Sequence, residues 1–215
     1  MNLAAVALLP GRPETGIFYR VTGTAWLRSA IATRHTRVTS SRFYDPYSAT
    51  PQFPTLYLSD NLVVAMFEAG ALFGSLTMAG GPVPAPRGSW AVLTVSVQLQ
   101  EIVDLSDATS QATIDVTAQE LTGDWQGYRL RSAATAVVAP TGTAPTQTLG
   151  EAIHRDSRSL EGFASVSAKV ATNRNLIVFP DHLRPGSFVR YSWNDGGITR
   201  GYRVDQAHPD GIDDP

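Results

Sequence analysis

The chain has no cysteine. Disulfides and thiolate metal sites are therefore excluded, and a reducing compartment suits it. Lysine is nearly missing as well: of 17 basic residues, only Lys169 is not an arginine. Arginine favours planar, two-pronged contact with phosphate or carboxylate, although genomic base composition explains such a bias equally well. Charge of both signs is sparse, 17% of residues against 43% hydrophobic, which describes a globular and not a disordered chain. A net charge of −2 exerts no general pull on nucleic acid or an anionic membrane. Apolar runs of membrane-spanning length are missing. The N-terminal stretch Leu3 to Leu9 is short and has no basic residue before it, unlike a signal peptide. It reads as a first strand or a packed arm of a soluble, cytoplasmic protein.

Familiar motifs are missing too. There is no phosphate loop, no G-x-G-x-x-G after a strand, no G-x-S-x-G elbow and no H-E-x-x-H. His35, His154, His182 and His208 are scattered, none paired at helical spacing, so each reads as a surface or structural histidine and no metal is expected.

What is present is a mixed succession of elements. Strands are expected at 17–21, 55–59 and 90–99, with a short successor at 101–106. Four more strands follow, in "GFASVSAK", "NLIVF", "SFVRYSW" and "ITRGYRV". The last two flank "NDGG" (Asn194–Gly197), a hairpin signal, so a C-terminal hairpin is expected over 187–204. Helices are expected at 24–35, after 59, at 108–122 and at 146–155, and turns or loops at 78–89, 122–128 and 141–145. The acidic tail 205–215 is expected to fray. Without regular βαβ alternation, the reading is one α+β domain over 1–215.

Two charge features stand out. Between Thr15 and Tyr44 there is no acidic residue, yet Arg20, Arg28, Arg34, Arg37 and Arg42 fall there. And from Asn61 to Pro86 the only charged residue is Glu68, near the middle of a helix that Ser59 or Asp60 can cap. Carboxylates are costly to desolvate, so Glu68 either escapes to solvent or is placed for chemistry. Alone, Arg20, Arg42, Tyr57 and Ser167 each have an ordinary structural reading: an ion pair, a loop arginine, a core aromatic, a strand hydroxyl.

Their order carries more. "FYRV" (Arg20), "SSRFYDP" (Arg42), "TLYLS" (Tyr57), "AMFE" (Glu68), "SVSAK" (Ser167) and, eight residues after the serine, "NLIVFPDH" run over 18–182. Taken in order, they resemble the RES domain family, toxins of bacterial toxin–antitoxin pairs. The chain departs from that pattern with Ser40 and Ser41 in place of paired glycines, and with Val166 where a proline precedes the serine.

The resemblance implies a compact fold similar to ADP-ribosyltransferases, with central, mostly antiparallel sheets. It implies NAD as substrate and cleavage of its nicotinamide–ribose bond. Glu68, Arg20 and Ser167 are the implied catalytic residues. Arg20, Arg42, Tyr57 and Ser167 are the implied contacts to NAD. Protein ADP-ribosylation is the alternative chemistry. A non-catalytic module that binds acidic partners through 20–42 is the alternative class. A helix-turn-helix (Xre-type) antitoxin is the implied partner, in a hetero-oligomer or beside a homodimer, with no direct binding of nucleic acid or membrane.

Overall fold

The computed structural model describes residues 1–49, 51–74, 81–85, 88–130, 142–170 and 172–214. After a 3-10 helix at Leu3–Leu8 come β1 (Gly11–Gly23), two further 3-10 helices (Thr24–Ser29 and Arg34–Val38), β2 (Leu56–Ser59) and α1 (Leu62–Glu68). A small hairpin, β3 (Leu72–Phe73) with β4 (Val83–Pro84), precedes the long β5 (Trp90–Asp104). Short helices α2 (Ala108–Thr113), α3 (Ala118–Thr122) and α4 (Gln126–Leu130) and the longer α5 (Pro145–His154) follow. The chain ends in β6 (Gly162–Val166), β7 (Arg174–Val178), a 3-10 turn at Pro180–His182, β8 (Phe188–Asp195), β9 (Ile198–Asp205) and β10 (Ile212–Asp214).

The expected mixture of helix and strand is present, with sheet dominant, but the sheet is mixed and it closes. Among the described residues its order is β1-β2-β7-β6-β5-β8-β9-β10, and β1 also pairs with β5. Five strands (β1, β2, β7, β6 and β5) thus form a ring. The β5–β6 pairing is parallel, and the other pairings are antiparallel. Closure removes the open edges that a flat sheet would expose. β5 makes it possible by length: its C-terminal part pairs with β6, its middle with β8 and nearly all of it with β1.

Alternation in the sequence explains the layers. Leu93, Val95, Val97 and Leu99 of β5 are buried, while Thr94, Gln98 and Gln100 are exposed. The buried set joins Phe18, Leu56, Leu58, Ala164, Leu176 and Val178, drawn from all the ring strands, so this core fills the ring. A second core lies against Phe163 and Ile177 under the helices, around Phe43, Phe53, Phe179 and Leu149. Burying a large apolar side chain contributes about 1.5–3 kcal/mol, so these two cores hold most of the fold together.

Several elements differ from expectation for identifiable reasons. The N-terminal stretch packs as an arm, with Ala5, Val6 and Leu9 buried, but as a 3-10 helix and not a strand. Residues 24–38 hold 3-10 and not α-helical segments. The two strands expected at 90–99 and 101–106 are one. The single helix expected at 108–122 breaks at Asp115, whose φ of 51° lies in the left-handed region. The turn at 122–128 runs into α4. The C-terminal tail does not fray: β10 pairs with β9, and the Thr33 hydroxyl donates to Pro209 O at 2.8 Å. The hairpin over 187–204 stands as expected, with Gly196 and Gly197 both at positive φ. The loops expected at 78–89 and 141–145 lie partly outside the described residues.

One close approach fixes α5 against the loop that follows Arg42. A Cβ added to Gly150 would lie 2.0 Å from the Phe43 carbonyl oxygen, a backbone atom that cannot swing away. Gly150→Ala is therefore expected to lower stability by about 1–3 kcal/mol or more, as overpacking does. Thermal unfolding checks this, and an unchanged midpoint would contradict the packing.

Candidate functional site

Glu68 is the last residue of α1, not a mid-helix residue. Asn61, and not Ser59 or Asp60, caps the helix: its Oδ1 accepts from the N–H groups of Val63 (2.8 Å) and Val64 (3.3 Å). Both expected caps are engaged elsewhere. Ser59 Oγ donates to Asn175 Oδ1 at 2.6 Å, while Asp60 accepts from Arg174 N and Asn173 Nδ2. The far end of α1 is set by Gly70, at φ 74°, a conformation that glycine adopts without cost. Glu68 thus places a carboxylate at a helix C-terminus, where the macrodipole opposes negative charge by roughly 0.3–1 kcal/mol.

Local donors offset that cost. Glu68 Oε1 accepts from Ser167 Oγ at 3.0 Å and from Asn175 Nδ2 at 2.9 Å. Ser167 is itself held: it follows β6, is 1% exposed, and its Oγ accepts from the N–H groups of Lys169 and Val170. Asn175, on β7 opposite Ser59 of β2, is locked by the Ser59 hydroxyl on its other end. Both donors go to Oε1. Oε2 has no partner among the described residues, and the solvent-exposed Glu68 lines a cleft of about 240 Å³.

Tyr19, Arg20, Tyr57, Ser59 and Asn175 line the same cleft. Arg20 is half-buried, and its guanidinium donates from Nε to Ala30 O (2.6 Å) and from Nη1 to Tyr57 O (2.8 Å). Neither acceptor is a carboxylate, and among the described residues Nη2 has no partner, so it can meet an anion. Burial draws its pKa down to about 10, which still leaves it cationic at neutral pH.

The Tyr57 hydroxyl accepts from Phe43 N at 3.0 Å and shares a 2.8 Å bond with Ser41 Oγ. Burial pushes this phenol up to about 12, so it stays neutral across the physiological range. Ser41 thereby ties Tyr57 to the loop that presents Arg42. Tyr57→Phe removes the partner of a backbone N–H and is expected to cost about 1–3 kcal/mol in urea denaturation. Wild-type stability in this variant would mean that the loop is held by other contacts.

Arg42 lies to one side. Its Nη1 donates to Gly123 O at 2.5 Å and to Leu121 O at 3.5 Å. Burial lowers its pKa, opposed chiefly by the negative charge of Glu68. It is thus within electrostatic reach of the cleft without lining it. Of the five expected residues, Arg20, Tyr57 and Glu68 meet in the cleft, Ser167 stands behind Glu68, and Arg42 stands beside it.

Asn175 and Ser59 escape sequence reasoning as site residues, although they lie inside "NLIVFPDH" and "TLYLS". Their role depends on the β2–β7 pairing, which has no local signal. Two of the histidines, far apart in sequence, come together. His154 and His182 stack at 4.1 Å between ring centres, and His154 Nε2 lies 3.2 Å from Asp181 Oδ2. One donor atom from each of these three residues lies within 4.8 Å of the others, a set able to hold a metal ion. The group is distant along β7 from Asn175 and lines none of the cleft. Of the arginines of 20–42, Arg28 pairs with Asp195, Arg37 donates to Gln52 O, and Arg20 and Arg42 are engaged as described.

The sequence matches the family model described as RES domain over residues 17–194. No curated protein matches it. In structure it is similar to a chain of the M. tuberculosis MbcT–MbcA toxin–antitoxin complex, with a TM-score of 0.61 at 18% identity, over 96% of this chain and 93% of that one. At that identity the likeness concerns the fold. Among the described residues no helix is long and apolar enough to cross a membrane.

Proposed function

The chain belongs to the RES domain family, and from that premise we propose that it is a toxin that cleaves the nicotinamide–ribose bond of NAD with water as acceptor. The observation that carries this reading is the Glu68 carboxylate, anchored through Oε1 by Ser167 and Asn175 in a solvent-exposed side chain that lines the cleft. As the bond between ribose C1′ and the nicotinamide nitrogen breaks, its electron pair leaves with nicotinamide. Positive charge then develops on the ribose. A preorganised carboxylate stabilises that charge, as in glycoside hydrolysis. Water adds to C1′ and releases a proton, which gives ADP-ribose and nicotinamide.

The other residues supply binding and orientation. Arg20 offers Nη2 to the pyrophosphate, and Arg42 adds charge from the side. The Tyr57 ring, immobilised through its hydroxyl, forms a wall for nicotinamide or ribose. Ser167 acts through Glu68, since its hydroxyl is already committed. None of these steps calls on a metal. The reading assigns the fold to the ADP-ribosyltransferase type and the activity to the cytoplasm, where NAD depletion arrests growth.

A toxin of this kind needs a partner that covers the cleft mouth. The likeness to a chain from a toxin–antitoxin complex supports an antitoxin, of the helix-turn-helix (Xre) type by family resemblance. Induced expression is expected to drain cellular NAD and stop growth, and the Glu68→Gln variant is expected to do neither. Growth arrest with NAD undiminished would refute NAD cleavage as the toxic act.

A further inference from the structure

A second cavity, of about 340 Å³, lies beside the Arg42–Gly123 hydrogen bond. Gly123, Asp124, Trp125 and Tyr128 line it from one side and Thr146, in the first turn of α5, from the other. The guanidinium of Arg42 is hydrogen-bonded to the carbonyl oxygen of Gly123, one of these lining residues. We infer that this cavity holds the adenine base of the dinucleotide; the inference rests on the NAD reading of the neighbouring cleft.

Three features favour a purine there. Trp125 and Tyr128 are both half-buried and line the cavity, and bases stack on such rings whatever their sequence. Asp124 accepts from the N–H groups of Gln126 and Gly127, which fixes the turn that carries Trp125. Finally, Asp124 and the nearby Glu120 bring negative charge to the cavity, which disfavours phosphate and leaves a neutral ring system as the better occupant.

The placement also suits the rest of the molecule. Arg42 Nη1 bonds to Gly123 O of the cavity wall, while its neighbours Ser41 and Phe43 bond to the Tyr57 hydroxyl of the first cleft. A pyrophosphate beside Arg42 would therefore have the nicotinamide ribose in the first cleft and the adenosine in the second.

The test compares NAD with nicotinamide mononucleotide, which lacks the adenosine half, and measures AMP binding by calorimetry. Trp125→Ala is expected to raise KM for NAD and weaken AMP binding roughly ten- to a hundredfold, the scale of one lost base–aromatic stack. Cleavage of the mononucleotide should be unchanged, and Trp125→Phe should restore most of the loss. If Trp125→Ala folds poorly, Tyr128→Ala serves in its place with the same pattern expected. NAD cleavage whose KM is insensitive to these changes, or an equal loss with both substrates, overturns the adenine site and leaves the cleavage reading standing. AMP binding that depends on Trp125 in a protein that cleaves neither substrate does the reverse.

Discussion

Glu68→Gln is expected to remove NAD cleavage while leaving the protein folded. Glutamine keeps the shape of the side chain and an oxygen at the Oε1 position, so Ser167 Oγ and Asn175 Nδ2 retain their acceptor. What disappears is the negative charge of a side chain that lines the cleft. Losing one preorganised electrostatic contact to a developing charge costs about 10²–10³ in turnover, and a full charge should reach the upper end or exceed it. Stability should change little, within about 0.5 kcal/mol, as for most exposed positions. It can even rise slightly, because α1 then no longer ends on a carboxylate. Glu68→Asp makes a sharper comparison. It keeps the charge but draws it back one methylene, and it cannot both stay on Ser167 and Asn175 and face the cleft. Activity between that of wild type and Glu68→Gln is expected. Nicotinamide release and thermal unfolding together check both statements. A folded Glu68→Gln protein with wild-type turnover would remove Glu68 from the chemistry.

Arg20 has the next largest expected effect, and it falls on both stability and activity. Its Nε and Nη1 tie β1 to the carbonyls of Ala30 and Tyr57, which join the 3-10 segment and β2 to the ring. Arg20→Ala leaves both carbonyls without a charged donor, a loss of about 2–4 kcal/mol. Arg20→Lys separates the structural part from the functional one. Lysine keeps a cation at the position, but its compact ammonium cannot hold two carbonyls and meet a phosphate in the fixed fork of arginine. The lysine variant is therefore expected to recover part of the stability while KM for NAD stays raised by about tenfold or more. Were KM to recover in step with stability, Arg20 would be a structural residue alone.

Much of this arrangement can be read in the linear sequence because it depends on local pattern. The alternation over 90–99 marks a strand with one buried face, "NDGG" marks a hairpin, and "TQTLGEAIHR" marks the helix before β6. The isolation of Glu68 between Asn61 and Pro86 marks it as a residue to explain, and the order of short motifs adds Arg20, Arg42, Tyr57 and Ser167. What is not legible depends on distant partners. Asp60 looks like a cap until Asn173 and Arg174, more than a hundred residues on, claim it, and the cap passes to Asn61. Closure of the ring follows from β1 reaching β5, and no window of residues encodes that pairing. The tail looks frayed by composition, yet β9 offers it an edge. Asn175 looks like an ordinary strand residue until β2 brings Ser59 to one end of its amide and α1 brings Glu68 to the other.

Ser40 and Ser41 carry a related lesson. They stand where the family's pattern has paired glycines. In the structure Ser41 bonds to the Tyr57 hydroxyl, and its carbonyl accepts from Gln147 Nε2 at 2.9 Å, so the serine tightens the loop that carries Arg42.

The most direct test follows NAD by proton NMR in the presence of the purified protein. Free nicotinamide and ADP-ribose are expected to appear together in equal amounts as NAD disappears, and neither should appear with Glu68→Gln. NAD that stays intact in the presence of folded wild-type protein would contradict the account.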